Sequence, residues 1–234
     1  SNNNMVDLFG GAIEASIPST WRDVSQVRQV PDNQEVYQDC AEETGAVLVI
    51  EILEYQKDIP NNNACTFFLK DLADANEALS GEQCIRDSRV FSSEDDDTME
   101  LGELLSNLSL PTTTTTRMGE DASCQLHVCL ARGSQKVIQG KTKKGNTTTS
   151  TTSDNNAAHW IDVELCALRL KNVDTDLLIT LSIPRREPVM GEEEENMGVV
   201  GSTTGGSVVG EEQYSDVFRK ILASFNIRDW SLFG

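Results

Sequence analysis

The alternation of apolar and polar residues along the chain predicts mainly β-strands. Residues 46–55 are apolar on both alternating faces, which is typical of a strand that is covered on both sides. A first strand at residues 8–17 should bend at its Gly-Gly pair and end before Pro18. Residues 172–175 suit a hairpin connection between two later strands. The remaining predicted strands lie at residues 34–38, 124–132, 160–171 and 176–183.

Two segments have the period of an amphipathic helix. Apolar residues recur at spacings of three and four within residues 66–79, and again within residues 214–225. The apolar tail at residues 227–233 is expected to pack back on the sheet. Because the strands follow one another without regular intervening helices, we expect an α+β fold in which helices pack on the faces of an antiparallel sheet.

Three polar stretches interrupt this pattern. They lie near residues 94–121, 141–156 and 190–210, and they are rich in threonine, serine, asparagine, glycine or acidic residues. A compact core tolerates such insertions, since the entropic cost of closing a loop grows only logarithmically with its length. The sequence therefore predicts a single domain at residues 5–234 that carries three low-complexity insertions.

The charge of the chain is strongly negative. It has 38 acidic and 19 basic residues, and its formal net charge is −19 at pH 7. Such a surface repels phosphate backbones and anionic lipid headgroups and attracts basic partners. We therefore expect no binding to nucleic acid, and no apolar run reaches the roughly 20 residues of a membrane span. Six cysteines without a CxxC motif or a visible secretory signal favour a reducing compartment.

Signatures of catalysis are absent from the sequence. The chain has two histidines, and His127 in the middle of a predicted strand is expected to be a half-buried structural residue. Cys124 and Cys129 are five residues apart on that strand and point to opposite faces, which argues against a shared metal. The chain has no phosphate-binding GxxxxGK[ST] loop, no HExxH and no GxSxG. We expect a non-enzymatic protein without a cofactor or a metal.

Two acids are unusual within the predicted strand at residues 46–55. Four apolar residues precede Glu51, and Glu54 follows it closely. A carboxylate in such a strand must reach water, meet a cation or have a raised pKa. The strand could leave the core at Glu51, so that both acids are simply solvated. Alternatively, both form one negative patch with Asp32 and Glu35 of the turn VPDNQEVY.

Several segments together resemble the Ran guanine nucleotide release factor family, also called the Mog-one family. They occur in the family's order and read LFGGAI, VPDNQEVY, EILE, FFLKDLADAN, LRLKNVDTDLLITLSIP and SFNIRDWSLFG. The resemblance implies a PsbP-like fold, with a roughly six-stranded antiparallel sheet and helices on both faces. It also implies binding to Ran, the small GTPase of nuclear transport, and promotion of guanine nucleotide release from it in the nucleus and cytoplasm.

The resemblance also implies a binding site. The family's acidic Ran-binding patch falls on Glu51 and Glu54, and Asp32 and Glu35 match the turn that borders it. The expected form is a monomer. The resemblance implies no functional role for residues 86–117, where the sequence departs from the family pattern. Two alternatives are a PsbP-like extrinsic protein of photosystem assembly and a generic acidic adaptor.

Overall fold

The computed structural model describes residues 3–40, 45–92, 102–110, 126–138, 158–185 and 215–234. Two α-helices lie entirely within these residues, α1 (Asn61–Ala75) and α2 (Asp216–Ser224), and residues 102–104 are also helical. The strands are β1 (Asn3–Leu8), β2 (Ile13–Pro18), β3 (Trp21–Asp23), β4 (Gln34–Asp39), β5 (Val47–Glu54), β6 (Gln83–Ser92), β7 (Leu126–Ile138), β8 (Ala158–Leu170), β9 (Thr175–Pro184) and β10 (Asn226–Ile227).

The strands form two antiparallel sheets. The larger sheet has seven strands in the order β3-β4-β5-β9-β8-β7-β6, and the smaller has the order β1-β2-β10. The α+β class and the antiparallel pairing agree with the prediction, and the main sheet has seven strands where roughly six were expected. The long hairpin of β8 and β9 lies at its centre, and β5 pairs with β9 throughout its length.

A hydrophobic core lies on each face of the main sheet. On one face, α1 packs through Phe68 and Leu69 against a cluster that includes Leu165 of β8. On the other face, Phe218 and Leu222 of α2 belong to a larger cluster that also contains β5 and β9 side chains. This burial of apolar area is the main favourable contribution to folding, and it explains why the two helices lie on opposite faces.

The chain start forms a hairpin, so the prediction of one bent strand at residues 8–17 is wrong. Its glycines occupy the turn between β1 and β2, where Gly10 and Gly11 have φ angles of 67° and 93°. Glycine adopts these left-handed angles without the steric cost that other residues incur. The tail packs as predicted, since β10 pairs with β2 and Trp230 contacts the larger core cluster.

Helix α1 starts earlier and ends earlier than the apolar pattern indicates. It begins at Asn61, directly after Pro60, which cannot donate a backbone hydrogen bond. Its end follows from the left-handed φ of 52° at Glu77, after which Leu79 donates a backbone hydrogen bond to Lys136. The polar first turn of α1 lacks the apolar periodicity that marks the rest of the helix.

The strand β6 was not predicted. Its side chains are mostly exposed and it lies at the edge of the main sheet, so its sequence QCIRDSRVFS has no alternating pattern. Of the predicted insertions, 141–156 and 190–210 lie outside the described residues, as does Cys124, and only residues 102–110 of the first insertion are described.

Candidate partner-binding surface

Strand β5 presents its two acids on opposite faces of the sheet. Successive side chains of a strand alternate between faces, and Glu51 and Glu54 are three residues apart. Glu51 shares the face of α1 with its cross-strand neighbours Gln34 and Leu178, whereas Glu54 lies on the other face beside Thr175. The structure therefore does not place both carboxylates on one face. A surface that includes both must wrap around the end of β5.

Glu51 is half-buried and has a defined polar partner. Its Oε1 accepts a hydrogen bond of 2.7 Å from Nε2 of Gln34, the residue directly opposite on β4. On its other side lies Leu178, which is 7% exposed. This environment fits neither a fully solvated acid nor an unpaired buried charge. The amide holds one carboxylate oxygen in place beside an apolar neighbour.

Glu54 is exposed at the last position of β5. Its backbone carbonyl accepts a hydrogen bond of 2.9 Å from Nε2 of Gln56, and the next residue, Tyr55, donates from its backbone to the carbonyl of Asp174. Nearby, Lys57 forms a surface ion pair of 3.2 Å with Asp174. Exposed ion pairs of this kind add little to stability, so the pair of Lys57 and Asp174 contributes little to holding the chain at the end of β5.

Asp32 is exposed in the turn before β4 and lies close to the end of β5. The next residue, Asn33, exchanges backbone and side-chain hydrogen bonds with Ile52, at 2.9 Å from Ile52 N to Asn33 O and 3.0 Å from Asn33 Nδ2 to Ile52 O. Gln34 closes the turn by donating to the Pro31 carbonyl. The turn is therefore tied to β5 one residue after Glu51, and Asp32 borders the region that carries the acids.

Glu35 has a structural contact that the sequence did not reveal. Its Oε1 accepts a hydrogen bond of 2.6 Å from the backbone N–H of Phe9, which lies in the turn of the β1–β2 hairpin. It shares its face with Tyr37, and burial, together with Glu35 and Asp23, raises the pKa of Tyr37 to about 12. Glu35 thus joins the hairpin to the main sheet, and its carboxylate lies on the face opposite to Glu51.

A buried ion pair behind this region was missed by the sequence reasoning. Arg169 of β8 and Asp176 of β9 face each other across the hairpin, with 3.1 Å between Nε and Oδ1, and both side chains are 0% exposed. Burial raises the pKa of Asp176, while hydrogen bonds from Gln56 and Arg169 act in the opposite direction. The two opposite charges are visible in LRLKNVDTDLL, but only the register of the hairpin, in which Leu170 lies opposite Thr175, places them opposite each other.

The candidate metal ligands and nucleophiles of the described residues are histidine, cysteine and acidic side chains. They contain no group of three or more His, Cys, Asp or Glu side chains that could hold a metal, and His127 is half-buried in β7 as expected. The five described cysteines are free thiols. A hydrogen bond with Cys65 and burial raise the pKa of the Cys129 thiol, and burial raises that of Cys166. Among the described helices, none is long and apolar enough to cross a membrane.

Comparison with known proteins finds a matching family model and similar proteins that are described by their relation to Ran. Residues 6–184 match the family model described as Ran-interacting Mog1 protein. The chain is 26% identical over 227 residues to the Ran guanine nucleotide release factor of Danio rerio, covering 97% of this chain and 98% of the relative. It is 28% identical over 226 residues to the probable Ran guanine nucleotide release factor of Dictyostelium discoideum, covering 97% and 94%.

The fold is also similar to a solved structure. The Ran-binding protein Mog1p of Saccharomyces cerevisiae superposes with a TM-score of 0.56 at 19% identity, covering 100% of this chain and 99% of that chain. At this identity the likeness concerns the fold, whereas the family model matches most of the sequence, including β4, β5 and β7 to β9. The chain therefore belongs to the family of Ran-interacting Mog1 proteins.

Proposed function

We propose that this protein binds the small GTPase Ran and promotes release of its guanine nucleotide, in support of transport between nucleus and cytoplasm. The observation that carries the proposal is the similarity, over 97% of the chain, to two relatives that are named Ran guanine nucleotide release factors. The action is a binding event without covalent chemistry, carried out by a monomer of one domain that is present in both compartments.

The surface that we assign to Ran is the end of β5. It comprises the half-buried Glu51, the exposed Glu54 and the exposed Asp32 of the adjoining turn. The net charge of −19 favours a basic partner surface and speeds its encounter at low salt. We do not include Glu35, because its carboxylate accepts the backbone N–H of Phe9 and so holds the β1–β2 hairpin against the main sheet.

Thermodynamic linkage explains how binding alone releases a nucleotide. A protein that binds nucleotide-free Ran more tightly than nucleotide-loaded Ran must weaken nucleotide binding by the same factor. Carboxylates suit this task, since they can engage basic residues of the GTPase that otherwise contact phosphates. No step requires a group on this chain to donate a proton or to attack a bond.

Charge reversal at the end of β5 tests the assignment. The double variant Glu51→Lys/Glu54→Lys replaces attraction by repulsion, and mismatched charges across an interface cost on the order of several kcal/mol. Affinity for Ran, measured by isothermal titration calorimetry, should therefore fall by at least about a hundredfold, since about 1.4 kcal/mol is a factor of ten.

The chain offers a matched control for this experiment. Asp71 and Asp74 are exposed on α1, are also three residues apart, and undergo the same change of charge when both are replaced by lysine. This control variant should bind Ran nearly as wild type does. Equal losses in both variants would show that only net charge matters, and undiminished binding by a folded Glu51→Lys/Glu54→Lys variant would move the site elsewhere. A wild-type protein that does not bind Ran would favour a generic acidic adaptor.

A further inference from the structure

The connection from β5 to α1 is held by one buried guanidinium. Residues 55–60 leave the sheet directly after Glu54 and enter α1 at Asn61. Nη1 of Arg169 donates to the Ile59 carbonyl at 2.7 Å and to Asn61 Oδ1 at 2.8 Å, and Nη2 donates to the Gln56 carbonyl at 2.8 Å. The contacts thus extend from the second residue of the connection to the first residue of α1.

The remaining contacts of Arg169 are also satisfied. Nε donates to Asp176 Oδ1, and the other oxygen of Asp176 accepts a hydrogen bond of 2.8 Å from the Gln56 backbone N–H. The Tyr55 ring lies against the guanidinium, with 4.6 Å between Cζ and the ring centroid. Gln56 therefore has its N–H, its carbonyl and its side-chain amide all engaged, the last by the carbonyl of Glu54.

Stability alone is a weak reason for such an arrangement. Well-packed apolar residues in place of a buried ion pair are often neutral or stabilising, because desolvation offsets the attraction between the charges. A planar guanidinium fork has a different advantage, namely that it fixes the relative positions of several acceptors at once. Here two of those acceptors are the backbone carbonyls of Gln56 and Ile59 in the connection after β5, and a third is Oδ1 of Asn61 at the start of α1.

We propose that Arg169 is a positioning residue for the Ran-binding surface, acting through Gln56 on Glu54. The inference rests on the proposed function. The fork binds the carbonyl of Gln56, and the Gln56 amide binds the carbonyl of Glu54, so the backbone from which the exposed Glu54 side chain projects is held in one conformation. Pre-ordering a charged side chain lowers the entropic cost of binding. The side chains of Arg169 and Asp176 are themselves fully buried, so in this proposal Arg169 acts on the partner only through Gln56 and Glu54.

A double-mutant cycle tests this coupling. Arg169→Lys keeps the charge but removes the fork, and it should weaken Ran binding about tenfold in the wild-type background. In a Glu54→Ala background the same substitution should weaken binding less than about twofold, because the group that it positions is gone. A role in stability alone would give the same factor in both backgrounds. Arg185→Lys, which disrupts a partly exposed fork on Asp162, is the matched control and should leave binding unchanged.

Two further measurements separate the possible outcomes. Amide hydrogen exchange should accelerate at Gln56 in Arg169→Lys and remain unchanged at Leu48. If Arg169→Lys does not fold, Asn61→Ala removes a single acceptor of the fork and should show the same non-additivity with Glu54→Ala. Equal factors in both backgrounds would overturn the inference while leaving the proposed function intact. Absence of Ran binding by the wild-type protein would overturn both.

Discussion

Replacing Glu35 by alanine should destabilise the protein and leave Ran binding almost unchanged. The carboxylate accepts a part-buried hydrogen bond of 2.6 Å from Phe9, whose own φ is 48° in the turn between β1 and β2. Hydrogen bonds to charged groups contribute about 1.5–3 kcal/mol, and an orphaned donor adds to the loss. We therefore expect the free energy of unfolding to fall by about 2 kcal/mol.

Urea denaturation followed by circular dichroism measures this loss. With a slope of about 2 kcal/mol per molar urea, the midpoint should fall by about 1 M. Glu35→Gln keeps an acceptor oxygen, and a neutral hydrogen bond has roughly half the strength of a charge-assisted one, so its shift should be about half as large. A fully stable Glu35→Ala variant that no longer bound Ran would refute the structural role of Glu35 and indicate that this acid is part of the Ran-binding surface.

The other predictions concern titration, the buried ion pair and the thiols. Tyr37 should form phenolate near pH 12, whereas its pKa is about 10 in the unfolded chain. The stability that it contributes is therefore complete below pH 10 and is lost as the pH rises through 12. Phenolate absorbance at 295 nm and thermal melts measure this, and a titration near pH 10 would contradict it. Asp176→Asn should cost about 3–5 kcal/mol in urea unfolding because it leaves Arg169 uncompensated, and a loss below about 1 kcal/mol would contradict that reason. Toward a thiol reagent Cys40 should react quickly and Cys166 only on unfolding, whereas equal rates would show that Cys166 is accessible.

Much of the fold follows from residue periodicity. Strands β5, β8 and β9 are central and covered, so their apolar pattern is long and unambiguous. Strand β6 lies at an edge with mostly exposed side chains, and exposure leaves no apolar pattern to read. The Gly-Gly pair predicted a bend instead of the observed hairpin turn, because glycine permits both. The pairing of β2 with β10 was not predictable from local patterns, since the paired residues are more than 200 positions apart.

The candidate site was predictable in part. Glu51 and Glu54 attract notice because they interrupt an apolar strand, and their odd spacing already indicates opposite faces. The role of Glu35 was not predictable, since its partner is a backbone N–H 26 residues away. The pairing of Arg169 with Asp176 requires the hairpin register, which places them opposite each other once residues 171–174 are known to form the connection.

Release of a fluorescent guanine nucleotide from Ran tests the central claim most directly. We predict that the wild-type protein and the Asp71→Lys/Asp74→Lys control accelerate release in proportion to their concentration, and that Glu51→Lys/Glu54→Lys does so only at about a hundredfold higher concentration. Melting curves must show that all three proteins are folded. Release at the intrinsic rate of Ran in the presence of saturating wild-type protein would contradict the account.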